Sequence, residues 1–206
     1  MTDEEIWQHV EQFRATHRPH LEANQIPLDL LTFAELELRL DLIPYDGLRN
    51  HFSADAAILS DFSGFYIDQH LFDRIDILSH SQFNRLRFSL AHELGHFILH
   101  RSLFESENIT TRGSLLEWLN DHAGEKYRIE REANEFAGRL LVPIDILRPL
   151  FEQLATGYDT IHGVHGWQNK QELRQKTCEL ISPKFGLHPL GISARLDSEG
   201  LWQSIY

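Results

Sequence analysis

Apolar residues recur along this chain at helical spacing in several separate stretches, and as short extended runs in only a few. Ile6, Trp7, Val10 and Phe13 share one side of a helix predicted over 3–17, with Pro19 marking its end. Asp29 is placed to cap a second helix through Leu40 that carries Leu30, Leu31, Ala34 and Leu38, and Pro44 stops the extended piece that follows. The apolar runs 55–60 and 64–68 flank Asp61-Phe-Ser-Gly64 and read as a β-hairpin. Ser79 or Ser81 then caps a long helix reaching about His100, with Leu86, Leu90, Leu94, Phe97 and Ile98 at helical spacing.

Between Arg101 and Lys126 the periodicity fades into Ser, Glu, Asn, Gly and Asp, which predicts a surface excursion with one short helix near Leu115–Leu119. Helical spacing returns from Tyr127 to Leu141, Pro143 interrupts it, and a further helix is expected over Ile144–Leu154. Residues 156–169 read as a loop, and two closing helical segments near 170–182 and 188–197 are joined through Pro183-Lys-Phe-Gly186. The pattern predicts an α+β fold in which a small twisted sheet lies beside the long helix and the C-terminal part is mostly helical. It divides into an N-terminal helix in 1–25, a main domain in 26–155, and a C-terminal loop and helical tail in 156–206.

Composition narrows the partners. With 19 Lys+Arg against 31 Asp+Glu, a net charge of −12 disfavours adhesion to nucleic acid or anionic lipid. The amino terminus lacks a positive segment leading into an apolar one, and no run approaches 18 apolar residues, so a cytoplasmic protein without membrane attachment is expected. The single cysteine, Cys178, fits a reducing compartment and reads as a small apolar residue on a helix.

The chemistry concentrates in His92-Glu-Leu-Gly-His96. On a helix, positions four apart stack about 6 Å from one another, so two imidazoles can converge on a metal at about 2.0–2.1 Å. Glu93 then lies beside the metal, poised to take a proton from the water that attacks a peptide bond. Composition alone would produce such a motif by accident in roughly 7% of chains like this one, and the half-buried helical context lowers that figure. Two histidines leave a catalytic zinc one protein ligand short. Positions 99 and 102 are Leu and Ser, so the third histidine of the metzincin pattern is absent.

The helix at 127–141 is the natural donor. Its apolar residues Ile129, Ala133, Phe136, Ala137, Leu140 and Leu141 define an arc, and Glu130 lies about 60° from the arc's centre. Glu132 and Asn134 fall about 100° away, so Glu130 is the acid expected to point inward. Asn134, one turn after Glu130, is placed to hydrogen-bond a ligating histidine. His100 shares the face of His92 and His96 but reads as a residue favoured by the helix dipole at the C-terminus rather than a ligand. Tyr127, Tyr158, His162 and His165 are candidates to support a developing oxyanion.

Leu86-Arg-Phe-Ser-Leu-Ala-His-Glu-Leu-Gly-His96 followed by Ile129-Glu-Arg-Glu-Ala-Asn-Glu-Phe-Ala-Gly-Arg-Leu-Leu-Val-Pro143 resembles the ImmA/IrrE family of zinc metallopeptidases over roughly residues 26–155. The resemblance implies a zincin-like domain there, with His92, His96 and Glu130 as zinc ligands and Glu93 as general base. It further implies site-specific cleavage of a helix-turn-helix repressor encoded nearby, relieving repression of phage, mobile-element or stress genes. The segment 180–201 looks like the helix-turn-helix-like ending of many relatives, but its charge is not strongly basic, which favours packing or substrate docking over DNA reading. The strand at 64–68 is expected to offer an exposed edge to an extended substrate. The alternative function is a zinc-containing regulator that inhibits a partner by docking without cleaving it, against which the intact Glu93 argues.

Overall fold

The computed structural model describes residues 1–17, 26–59, 61–106, 123–162 and 171–203. The chain opens with α1 (Asp3–Thr16), whose Thr2 and Glu5 form a reciprocal capping box and whose Ile6, Val10 and Phe13 are buried. Trp7, one residue round from Ile6, stays partly exposed on the flank. Asp29 accepts from the Thr32 backbone N–H and starts α2 (Leu30–Thr32), which widens into a π-helical turn over Phe33–Glu37. The helix therefore stops short of the Leu40 expected from spacing. Arg39 takes a left-handed conformation (φ 54°), turning the chain so that Leu40 enters the core and β1 (Asp41–Tyr45) can begin.

Next come α3 (Leu48–Phe52), β2 (Ala56–Ile58), β3 (Gly64–Asp68), α4 (Gln69–Phe72) and a 3-10 turn at Ile75–Ile77. The hairpin expected from sequence is present, with β2 antiparallel to β3 and Ala57 opposite Tyr66. β1 joins the other side in parallel, Ile43 opposite Tyr66, giving the order β1-β3-β2. Pro44 lies within β1 rather than ending it, which an edge strand tolerates. The expectation of β3 as a free edge is wrong. It is the central strand, buried through Phe65 and Ile67, and its hydrogen-bonding groups are taken on both sides. Among the described residues, the edge strand nearest the motif helix is β2.

That helix, α5 (His80–Leu99), begins with a Ser79–Gln82 capping box and buries Leu86, Leu90, Ala91 and Leu94. α6 (Arg101–Ser106) follows, and the short helix expected near Leu115–Leu119 lies outside the described residues. α7 (Ala123–Leu141) packs along α5 with Ile129, Ala133, Phe136, Ala137, Leu140 and Leu141 all buried. α8 (Ile144–His162) starts after Pro143 and runs about two turns past the expected end, into residues read as a loop. The stripe Leu147, Phe151 and Ala155, with Tyr158 packed on the core, continues the helical period beyond Leu154 and accounts for the extension.

The tail forms α9 (Gln171–Phe185) and α10 (Pro189–Ser198). Its turn falls at 186–188, later than the expected 183–186, because Pro183 continues α9 and Gly186 supplies the left-handed residue (φ 59°) that ends it. Cys178, Ile181, Phe185, Ile192 and Leu196 bury the tail against the core. Three arginines fasten it. Arg87, almost wholly buried on α5, donates to the carbonyls of Leu28, Phe185 and Gly186. Arg195 of α10 pairs with Glu199 and donates to the Val142 carbonyl, while Arg139 of α7 bridges Glu135 and Glu199. Among the described residues no helix is long and apolar enough to cross a membrane.

Candidate metal centre

The α5–α7 contact sets the geometry of the site. Gly95 lies between the two motif residues Leu94 and His96, and a Cβ built on it would stand 3.0 Å from both the Cα and the carbonyl oxygen of Ala133. Only a glycine lets the two backbones come this close, and the approach brings Glu130 of α7 over the histidine face of α5. His92 Nε2 and His96 Nε2 converge to 3.1 Å, and the Glu130 carboxylate stands 3.2 Å from the first and 3.7 Å from the second. Ligand atoms around a tetrahedral metal at 2.0–2.1 Å are separated by about 3.3 Å. Two imidazole lone pairs and a carboxylate aimed at one point need a cation, either a shared proton or a metal ion. These three side chains, with their ligand atoms within 4.8 Å of one another, could hold a metal.

The surroundings hold the rings in place. Asn134 Oδ1 lies 3.0 Å from His92 Nδ1, the contact expected from its place one turn after Glu130. His96 Nδ1 lies 2.9 Å from His100 Nδ1, and His100 Nε2 lies 3.0 Å from Glu132 Oε2. Behind them Phe104 stacks on His96 and packs with Phe62 and Ile129 in a small apolar cluster that closes the back of the site. Glu93 turns toward the sheet, where its Oε2 accepts from the Ile58 backbone N–H at 2.8 Å.

Glu132 departs most from the sequence expectation, which set it about 100° from the arc's centre and named Glu130 as the inward acid. It is fully buried, because the apolar arc at its edge is completed by polar partners: His100 Nε2, Arg128 Nη1 at 3.1 Å and the Met1 nitrogen. His100 occupies the C-cap position of α5, at the helix C-terminus as expected, and is buried there. A sequence signal existed for both: His92, His96 and His100 repeat every four residues on one face, and Arg128 and Glu132 form an (i, i+4) pair. The side chains of His162 and His165 lie outside the described residues. Tyr127 is exposed and lines the groove described below, and Tyr158 is half-buried.

Without a metal the site is electrostatically divided. Burial, with the nearby His92 charge, pushes His96 down to about 3, so its imidazole is neutral. Burial opposes charge on His92 too, but the hydrogen bond to Glu130 and the charges of Glu93 and Glu130 outweigh it and raise its pKa. The hydrogen bond with His92 holds the Glu130 carboxyl below its ordinary range against burial. Burial raises Glu93 to about 7, although His92 and the Ile58 N–H pull the other way. A carboxyl poised near neutrality is suited to both accepting and returning a proton.

A groove of about 450 Å³ leads away from the site, lined by Glu130, Asn134, Tyr127 and Phe88 at one end and by Gly138, Gly191, Ala194 and Arg195 toward the tail. The family model described as the IrrE N-terminal-like domain, a peptidase family, matches residues 58–173. The chain belongs to this family. The matched span covers β3, both helices of the candidate centre and α8. No curated protein matches the chain.

Proposed function

We propose that the chain is a zinc-dependent endopeptidase of the cytoplasm that hydrolyses a peptide bond in a helix-turn-helix repressor encoded nearby and so relieves repression. The observation that supports this best is the convergence of His92, His96 and Glu130 within ligand distance of one another, with the carboxyl of Glu93 alongside. His92 Nε2, His96 Nε2 and Glu130 would hold the ion. An ion held there would supply Lewis-acid polarisation of the scissile carbonyl and a water whose pKa falls to about 7.

Glu93 does the proton work in this reading. It accepts a proton as the oxygen of water bonds to the carbonyl carbon, then delivers that proton to the amide nitrogen as the C–N bond breaks. Asn134 and His100 keep the two imidazoles in register. The substrate backbone is placed by the outer edge of β2, where the Ala56 backbone and the Ile58 carbonyl face away from β3 while Asp55 and Leu59 pair with it and the Ile58 N–H holds Glu93. The groove along α7 takes a flanking part of the substrate. Its small residues Gly138, Gly191 and Ala194 admit close approach, so the tail contributes to substrate docking rather than to DNA reading.

The decisive experiment incubates wild type and Glu93→Gln with the repressor encoded nearest the gene, with and without a chelator, and maps products by intact mass. Wild type should cut at one site or very few, and the variant should bind the repressor without cutting it. No fragment with wild type, and equal relief of repression by the variant, would overturn cleavage in favour of regulation by docking.

A further inference from the structure

Resting on the reading that His92, His96 and Glu130 hold the metal, we infer that His100 and Glu132 form a buried positioning chain. It fixes His96 with its proton on Nδ1 and its Nε2 lone pair facing the metal position. His100 and Glu132 are positioning residues: neither reaches the metal position, and each acts through the ring before it.

The order of protons follows from one end to the other. Glu132 is fully buried and surrounded by donors: Arg128 Nη1 at 3.1 Å, the Met1 nitrogen and His100 Nε2 at 3.0 Å. An ionised carboxylate only accepts, so His100 Nε2 carries the hydrogen. A neutral imidazole with hydrogen on Nε2 has its lone pair on Nδ1, and that atom faces His96 Nδ1 at 2.9 Å. His96 Nδ1 must therefore donate, which leaves the lone pair on His96 Nε2, the atom 3.1 Å from His92 Nε2 and 3.7 Å from Glu130. Each link forces the next.

The two ligating rings are thereby oriented by different means. His92 rests on a single neutral amide oxygen at the accessible side of the site. His96 is tied through a second imidazole to an ionised carboxylate, with Phe104 packed against both rings so that water has no place between them. Carboxylate–histidine–metal arrangements fix ring orientation and raise ligand basicity, and here the carboxylate acts through one additional histidine. The reason is positional. His100 is one turn beyond His96 on α5 and lies opposite Glu132 of α7, while Glu130 of the same helix is already committed to the ligand set.

Two variants test this. In His100→Asn the side-chain oxygen takes the acceptor place of Nδ1 but cannot reach Glu132, whereas His100→Leu removes the acceptor. Nitrogen-15 NMR of the metal-free proteins reads the tautomers directly, and competition against a chromophoric chelator reads zinc affinity. Wild type should show His96 with hydrogen on Nδ1 and His100 with hydrogen on Nε2. His100→Leu should lose the His96 tautomer and raise the zinc Kd on the order of 10–100-fold, and His100→Asn should retain the tautomer and recover most of the affinity. Hydrogen on His96 Nε2 in wild type, or zinc bound as tightly by His100→Leu as by wild type, overturns the chain while leaving the metallopeptidase reading intact. The expected tautomers with no zinc uptake by wild type would support the proton order and defeat the metal reading instead.

Discussion

The backbone N–H of Ile58, on the outer edge of β2, donates to the Glu93 carboxylate at 2.8 Å. The strand edge suited to receive a peptide and the carboxyl suited to move a proton are thus directly linked, across 35 residues of sequence. One hydrogen bond does not offset the burial of Glu93, whose pKa is pushed up to about 7.

Glu93 should consequently leave a signature in the pH dependence of stability of the metal-free protein. Its folded pKa lies above the ordinary value of 4.5, so the folded state binds the extra proton between these limits. Stability from this group is fully present below about pH 4.5 and lost as pH rises through about 7. Glu93→Gln removes the titration. The variant should gain on wild type across that window and level off above it, by at most about 3 kcal/mol because the half-buried group keeps some solvent. Urea unfolding at a series of pH values checks this, and a constant difference between the two proteins would show that Glu93 titrates normally.

Gly95 and Gly138, both on the α5–α7–α10 side of the molecule, should respond oppositely to alanine. A Cβ at Gly95 meets the Ala133 backbone at 3.0 Å, and a backbone cannot give way as a side chain can. Overpacking costs about 1–3 kcal/mol, more than the roughly 1 kcal/mol that alanine gains in helix propensity, so Gly95→Ala should be destabilised. It should also weaken metal uptake, because the same displacement carries Glu130 away from His92 and His96. At Gly138 the nearest atom is the flexible Arg195 Cδ at 3.7 Å, an ordinary contact. Gly138→Ala should be neutral or stabilised by up to about 1 kcal/mol, as thermal unfolding of the two variants will report.

How far the sequence revealed this depended on whether a residue's partners were local. Helical spacing placed α5 and α7, Asp29 and the choice of Ser79 or Ser81 marked two starts, and the apolar runs either side of Asp61-Phe-Ser-Gly64 pointed to the hairpin. Phase on α7 brought Glu130 and Asn134 to the histidines because those residues flank an apolar arc whose direction fixes theirs. Strand order was hidden, since nothing local tells that β1 returns in parallel beside β3 and leaves β2 as the edge near Glu93. Glu132 was misplaced for a related reason: an arc drawn from apolar residues cannot register a carboxylate buried among His100, Arg128 and the start of the chain.

Glu130 and Glu132, two residues apart, should separate metal binding from folding. The Glu130 side chain is 43% exposed and its neighbours are the two histidines, so Glu130→Ala removes a ligand and little packing. Metal-free Glu130→Ala should unfold within about 1 kcal/mol of wild type, as expected when a partly exposed ion pair is lost, yet bind zinc far more weakly. Glu132→Ala leaves His100 with an unpaired buried donor and strips Arg128 and the half-buried Met1 nitrogen of one acceptor each. An unsatisfied buried group costs about 1–3 kcal/mol, and Arg128 adds little because it keeps Glu125 and reaches solvent. Metal-free Glu132→Ala should therefore lose about 1–3 kcal/mol, measurable by urea unfolding. Its zinc affinity should fall less than that of Glu130→Ala, since all three candidate ligands remain. If Glu130→Ala proves the less stable of the two in the metal-free form, the division of labour between these carboxylates is the reverse of the one their burial implies.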